Sequence, residues 1–190
     1  MSSNGQPGAW ELLESREVFS APPWIKVLRE RVRLPDGRII EDYHLIVVAD
    51  CVIVYAETDD GLVVVERQYK HGAQNVGLSL PAGAIDEGED PLLAAKRELL
   101  EETGYEAREW KFVGRYAVNG NYGCGFAHMF LATGARLVAA PDSGDLEHIE
   151  IELFDQERLR ERVDKGDIHM LGALTGILLG LVNWRSAPGP

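Results

Sequence analysis

Two different spacings of apolar residues run through the chain. From Ile25 to Leu34 the pattern I-K-V-L-R-E-R-V-R-L places apolar side chains close to every second position, the period of a half-buried strand. Pro35-Asp36-Gly37 then supplies turn residues leading into a second strand, so the stretch from Trp10 to Ile46 reads as short strands that include a hairpin. Val47 to Ala56 and Gly61 to Gln68 are apolar, β-branched runs joined through Thr58-Asp59-Asp60-Gly61, the mark of central strands. Leu80-Pro81-Ala82-Gly83 breaks this pattern, and an acidic loop, Asp86 to Asp90, follows.

The spacing then lengthens. Leu92, Ala95, Leu99 and Leu100 fall on one helix face, with Asp90 as N-cap, Pro91 in the first turn and Gly104 just past the end. This predicts a helix over 91–103. Strands are expected again at Trp110–Val118, His128–Ala135 and Ile149–Phe154, and helices at Asp155–Lys165 and Asp167–Trp184. Many strands with few helices predict an α/β sandwich around a mixed sheet rather than a doubly wound one. The last helix carries Gly172, Gly176 and Gly180 at four-residue intervals and no charged residue from Ile168 to Trp184. Its strongly apolar part, Met170 to Val182, spans about 20 Å of helix against ~30 Å of bilayer hydrocarbon, so a buried helix with a flat small-residue face is expected instead of a membrane span.

Composition narrows the function. With 190 residues, 45% apolar and 26% charged, the chain fits one folded domain with a small extension. A formal charge of −12 argues against nucleic-acid binding, which needs clustered cations. It leaves room for a small phosphorylated ligand if carboxylate-held metal ions present positive charge locally. Cys51 and Cys124 form no CxxC pair and suit a reducing compartment. The polar Met1–Pro7 stretch lacks a signal-peptide pattern, so a cytoplasmic location is expected.

Chemistry concentrates between Gly83 and Tyr105. Glu98 stands three and four positions before Glu101 and Glu102, which puts the carboxylates on one helix face. Like charges so spaced repel, and a hard divalent cation such as Mg²⁺ or Mn²⁺ offsets the cost; a solvated acidic face is the alternative. Arg97 is positioned to orient a carboxylate, and Glu89 can close the cluster from the loop.

Gly83, Glu89, Arg97, Glu98, Leu99, Glu101, Glu102 and Gly104 match the pattern G-x5-E-x7-R-E-U-x-E-E-x-G-U, with U aliphatic, and Tyr105 departs from it at the last position. The stretch resembles the Nudix box. That resemblance implies an α/β/α sandwich and metal-dependent hydrolysis of a nucleoside diphosphate linked to another group. It implies metal ligation by Glu98, Glu101, Glu102 and the carbonyl of Ala82, with Arg97 positioning the glutamates.

Beyond the box, P-P-W-I-K-V at 22–27, L-P-D-G-R at 34–38, R-Q-Y-K-H at 67–71 and L-P-A-G at 80–83 resemble the ADP-ribose and nucleoside-diphosphate-sugar pyrophosphatase branch. For that branch an N-terminal antiparallel strand subdomain (1–46) is expected to serve dimerisation and base binding, ahead of a hydrolase domain (47–184) and a tail (185–190). Trp24 is then expected against the base, or in core or dimer packing. Arg67 and Lys70 are expected on substrate phosphate, with a surface role for Arg67 as the alternative. Lys70 stands where relatives usually have Arg, and gives a point charge rather than a fork. The Gly-rich stretch 118–125 carries no proline where ADP-ribose-preferring members often have one, and is expected as a loop near the ligand, with a wider nucleotide-sugar range.

The resemblance to these pyrophosphatases implies a general base from the segment before the last strand, here Asp142–Glu150. Glu147 is the first choice, Asp145 a further one, and Glu101 the rival from the box. Glu150 is expected in or near the strand and His128 as a strand residue. The partners implied are a small nucleoside diphosphate sugar and a second copy of the chain in a homodimer, with no nucleic acid and no membrane. Competing substrates are a dinucleotide, coenzyme A or a nucleoside triphosphate, and a non-catalytic nucleotide-sugar sensor is the competing class.

Overall fold

The computed structural model describes residues 8–142, 144 and 148–183. In chain order the strands and helices are β1 (Glu11–Ala21), β2 (Ile25–Arg33), β3 (Ile39–Val47), β4 (Cys51–Thr58), β5 (Val63–Lys70), β6 (Asn75–Ser79), β7 (Ala82–Ala84), α1 (Pro91–Thr103), β8 (Tyr105–Glu106), β9 (Glu109–Asn119), β10 (Gly123–Leu137), β11 (Ile149–Phe154), α2 (Gln156–Asp164) and α3 (Leu171–Asn183). They divide between two compact units, the first holding the chain up to Asp50 with Ala117–Phe126, the second the remainder.

In the first unit β1, β2 and β3 form an antiparallel meander, with Ala21 opposite Ile25 and Arg33 opposite Ile39. The expected hairpin at Pro35-Asp36-Gly37 is present: Leu34 and Arg38 pair across it at 2.8 Å. Trp10 packs edge-on against Tyr43 with ring centroids 5.4 Å apart, and the Arg31–Glu41 pair bridges β2 and β3 at 2.9 Å. The Gly-rich stretch is not an open loop. Asn119 Oδ1 accepts from the N–H groups of Asn121 and Tyr122 at 2.9 and 2.8 Å, and β10 starts at Gly123, five residues earlier than the pattern suggested. A short Asx-type turn suffices where many glycines had suggested a longer excursion.

The second unit contains the mixed sheet. β10 pairs parallel with β4, from Ala127 opposite Cys51 to Ala135 opposite Thr58, while β5 pairs antiparallel with β11, β6 and the end of β4, and β7 with β4. Each strand face is covered. Val52, Val54 and Ala56 of β4 point to a core completed by Ala94, Ala95 and Leu99 of α1, whereas Ile53 and Tyr55 point to a core with Phe154, Leu159, Ile177 and Leu181 on the α2 and α3 side. Strands buried on both faces need continuous apolar runs, which β4 shows from Cys51 to Ala56 and β5 from Val63 to Val65.

Gly172, Gly176 and Gly180 let α3 lie flat on this sheet. A methyl group at Gly176 would fall 2.8 Å from Leu80 Cδ1, and one at Gly180 would fall 2.3 Å from the Tyr55 ring. Among the described residues no helix is long and apolar enough to cross a membrane.

Three expectations need correction. Val47–Ala56 is not one strand, because Val47 ends β3, residues 48–50 intervene, and Asp50 Oδ1 takes the Phe126 N–H at 2.9 Å. β6 and β7, short and Gly-containing, flank the Leu80-Pro81 break without an alternating pattern to announce them. Finally, α3 begins at Leu171 rather than Asp167: the Asp167 N–H donates to the Arg162 carbonyl at 3.0 Å, and its side chain accepts from Arg162 at 2.9 Å, so this residue is held by α2 instead of opening a helix.

Candidate active site on the glutamate helix

The site lies in the second unit, where β7, the acidic loop and α1 meet. Asp90 caps α1 by accepting from the N–H groups of Leu92 and Leu93 at 2.9 and 3.3 Å, with Pro91 in the first turn as expected. The helix stops at Gly104, whose left-handed backbone (φ 74°) sends its N–H to the Leu100 carbonyl at 2.8 Å. This fixes the phase of the helix and with it the direction of every glutamate.

Arg97 is the hub. Its Nε and Nη2 donate to the two oxygens of Glu89 at 3.0 and 2.9 Å, Nη1 to Glu98 at 2.6 Å and Glu101 at 3.2 Å, and Nη2 also to the Ala84 carbonyl at 3.0 Å. Glu89 is braced further by the Asp86 N–H at 3.0 Å. One planar guanidinium therefore holds three carboxylates and the end of β7 in register. Hydrogen bonds from Arg97 and Asp86 hold the Glu89 carboxyl below its usual range, and Glu89 raises Arg97 in return. Gly83 completes the cradle: a methyl group there would fall 2.1 Å from Glu98 Cδ.

Glu102 turns the other way, into the protein. It is buried, and its Oε2 accepts from the Ala82 N–H at 2.8 Å. Burial, followed by the neighbouring Glu66 carboxylate, pushes Glu102 up to about 9, with the Ala82 N–H opposing the shift.

The sign of the pH effect follows. An acid raised on folding binds more protons in the folded state, so Glu102 contributes its stability at low pH and loses it as pH climbs through the raised value. We expect the melting temperature of the protein in chelator to fall between about pH 5 and pH 9, and a divalent cation to flatten that slope. A level profile in chelator would contradict the buried carboxylate pair.

These residues form a hard oxygen donor set for a divalent cation. Among the described residues no three such side chains are yet drawn together as a closed cage, because Arg97 holds Glu98 and Glu101. Glu102 and Glu66 are two carboxyls in one buried place, and a bound cation would take the part that a proton plays there.

The other expected site residues are distributed differently. Arg67 of β5 donates to Glu152 at 2.6 Å, the arrangement of a sheet residue in an ion pair rather than of an open phosphate ligand. Lys70 ends β5 opposite Asn75. Trp24 belongs to the first unit, in the turn between β1 and β2, and is 78% exposed. His128 is a strand residue of β10, and Glu150 lies in β11, 3.8 Å from His148. Glu147 and Asp145 lie outside the described residues. The segment leading to them is tethered to the helix end, since the Asp142 N–H donates to the Glu101 carbonyl at 2.8 Å.

Sequence reading missed Glu66. It sits fully buried on β5, and Gln68 Nε2 donates to its Oε2 at 2.8 Å. The signal was available: a carboxylate at 66 falls on the same strand face as Val64, directly after the apolar run Val63-Val64-Val65.

Comparison with known proteins agrees with this geometry. The model of the family described as "NUDIX domain" matches residues 45–174, and that of "Nucleoside diphosphate sugar hydrolase N-terminal domain" matches residues 10–46. An ADP-ribose pyrophosphatase of Mycobacterium tuberculosis is 30% identical over 169 residues, covering 86% of this chain and 80% of that protein. An ADP-ribose pyrophosphatase of Bacillus subtilis is 29% identical over 63% of this chain and 64% of its own length. A methanol dehydrogenase activator of Bacillus methanolicus is likewise 29% identical, over 64% and 65%. The chain thus spans just under two thirds of the length of the two Bacillus relatives. A crystal structure of an ADP compounds hydrolase superposes with a TM-score of 0.79 at 18% identity, covering 92% of this chain and 93% of that one, which shows a shared fold.

Proposed function

We propose, from the premise that this chain belongs to the Nudix family, that it is a Mg²⁺-dependent pyrophosphatase of ADP-ribose or related nucleoside diphosphate sugars. The observation that carries the reading is Arg97 gathering Glu89, Glu98 and Glu101 on one side of α1 while Glu102 turns inward beside Ala82. The names of the relatives and the N-terminal family match support the substrate class.

Glu98, Glu101, Glu102 and the Ala82 carbonyl would hold the metal, with Mn²⁺ as a substitute for Mg²⁺. Bound there, a divalent cation supplies positive charge against the pyrophosphate and makes an attacking water more acidic. The chain's own groups do the remaining work. Arg97 keeps the glutamates from splaying apart under their mutual repulsion. Glu147 accepts the proton from water as its oxygen attacks one phosphorus, with Glu101 as the alternative acceptor; the tether from Asp142 to α1 supports the former. The bridging P–O bond breaks, leaving a nucleoside monophosphate and a sugar phosphate. Lys70 offers a cation to the phosphates, while Arg67 is tied to Glu152.

The first unit is assigned to the base and to a homodimer. Trp24 offers a bare indole face, and β1 exposes Leu12, Val18 and Phe19, an apolar surface suited to a second copy. We expect Trp24→Ala to raise KM for a nucleotide sugar about tenfold with kcat little changed, since stacking on a base contributes about 1–3 kcal/mol. An unchanged KM would remove Trp24 from the substrate site. Cys51 and Cys124, neither of them in a disulfide, support a cytoplasmic location.

The reading is tested by phosphatase-coupled phosphate release from ADP-ribose, other nucleotide sugars and a nucleoside triphosphate, with and without Mg²⁺. Metal-dependent cleavage of a nucleotide sugar is the expected result. Cleavage of the triphosphate alone, or of nothing, would overturn the substrate class.

A further inference from the structure

Glu66 belongs to neither the box nor its loop. It is on β5, two strands' worth of chain away from α1 in sequence order, and yet it meets the most buried glutamate of that helix. Its side chain is fully buried and hydrogen-bonded to Glu102, which also accepts from the Ala82 N–H. Two carboxyls in one dry site are costly unless a proton or a cation lies between them. Nothing apolar about the strand requires this charge. The same face of β5 carries Val64, part of the α1-side core, and a further branched aliphatic side chain at 66 would extend that core.

The next residue on this face, Gln68, is also buried, and it fixes Glu66 by donating from Nε2 at 2.8 Å. That bond determines which way round the amide lies. Its Oε1 is left as a buried acceptor with no donor among the described residues. A buried oxygen with no donor is a cost, and it is met where a water or a hydrated cation can approach. Glu66 and Glu102 therefore bring carboxyl groups from β5 and α1 side by side, with the Gln68 amide packed against the first.

Resting on the cation-binding reading of α1, we propose that Glu66, held in place by Gln68, is a further cation-binding carboxylate of this site, extending it from the glutamate helix into the sheet. The ligand class is a hard divalent cation. Glu66 meets Glu102 from the strand side, while Glu98 and Glu101 are held by Arg97 on the helix, so the site draws on both β5 and α1. A cation so placed links β5 to α1 and replaces the proton that the paired carboxyls otherwise share.

The test uses the full chain without substrate, with Mn²⁺ alone as the probe, read by the paramagnetic resonance of the free ion. Glu66→Gln keeps the shape and the hydrogen-bond partner and removes the charge. Its Mn²⁺ affinity should fall on the order of 10–100-fold, the range found when a group supporting a metal site is removed. Its melting temperature in chelator should not fall below that of the unaltered protein, because one of two adjacent buried carboxyls has become neutral.

A purely structural Glu66 gives the reverse, a lower melting temperature in chelator with Mn²⁺ affinity unchanged, and that result overturns the proposal. Should Glu66→Gln fail to fold, crystals of the unaltered protein soaked in Mn²⁺ decide the matter. An anomalous peak within coordination distance of a Glu66 oxygen supports the assignment, and a peak confined to the box glutamates overturns it. Unaltered protein that binds no Mn²⁺ overturns the cation reading as a whole. Unaltered protein that binds it as tightly as Glu66→Gln overturns this extension alone.

Discussion

The double variant Glu101→Gln, Glu102→Gln is expected to lose turnover of nucleotide sugars by at least about 10³-fold while remaining folded. Removing one preorganised electrostatic group from an active site costs about 10²–10³-fold in kcat, and this variant removes two charges from a single cluster. The fold should hold because glutamine reproduces the shape of glutamate. At position 102 the amide oxygen can still accept the Ala82 N–H now bonded to Glu102 Oε2. Arg97 keeps Glu89 and Glu98 as partners when Glu101 is neutralised. The measurement is kcat at saturating Mg²⁺, paired with a melting curve in chelator. Turnover within a few-fold of the unaltered protein would remove these residues from the chemistry.

The largest effect on stability is expected from Gly104→Ala. Gly104 has φ 74°, a left-handed conformation that costs an alanine about 1–2 kcal/mol. A methyl group there would also fall 2.1 Å from the Ala139 carbonyl oxygen. That obstacle is backbone, and the Val138 and Ala139 N–H groups are both bonded to the Gly104 carbonyl, so it has little freedom to retreat. Together the two effects come to about 3 kcal/mol, within the range for overpacking plus strain. At about 2–4 °C per kcal/mol for a chain of this size, the melting temperature should drop by roughly 6–12 °C. A drop under about 2 °C would mean that the helix end relaxes freely. Because Gly104 follows Glu102 by two residues, a loss of cation affinity should accompany the loss of stability.

Where the sequence was legible, local signals agreed and no distant group competed with them. Pro91–Thr103 was readable to the residue because an N-cap, a first-turn proline and a terminal glycine all mark the same helix. β11 was equally clear, an I-E-I-E alternation followed by Leu153-Phe154 and the Asp155 cap. Boundaries slipped where distant groups compete for the same backbone. Asp167 looks like the start of a helix, yet α2 takes its N–H and its carboxylate first. Val47 and Cys51 look like one run, yet Asp50 is diverted to Phe126.

The site divides the same way. Arg97 and its glutamates are local in sequence, so helical spacing brings them together on paper as it does in space. Glu66 and Glu102 are joined only by the packing of a strand against a helix, which no spacing rule reports. Arg67 was ambiguous for a related reason, since its partner Glu152 is 85 residues further on.

The alternation along β4 has a last consequence. Val52 and Val54 serve the glutamate helix, while Ile53 and Tyr55 serve the C-terminal one, so the two sides of one strand answer to different neighbours. The sheet works as a partition. Mutations can accumulate and compensate one another among Tyr55, Leu181 and Gly180 without touching Val52 and Val54 on the face toward the glutamate helix. Chemistry and scaffold can in this way drift at different rates within eight residues of chain.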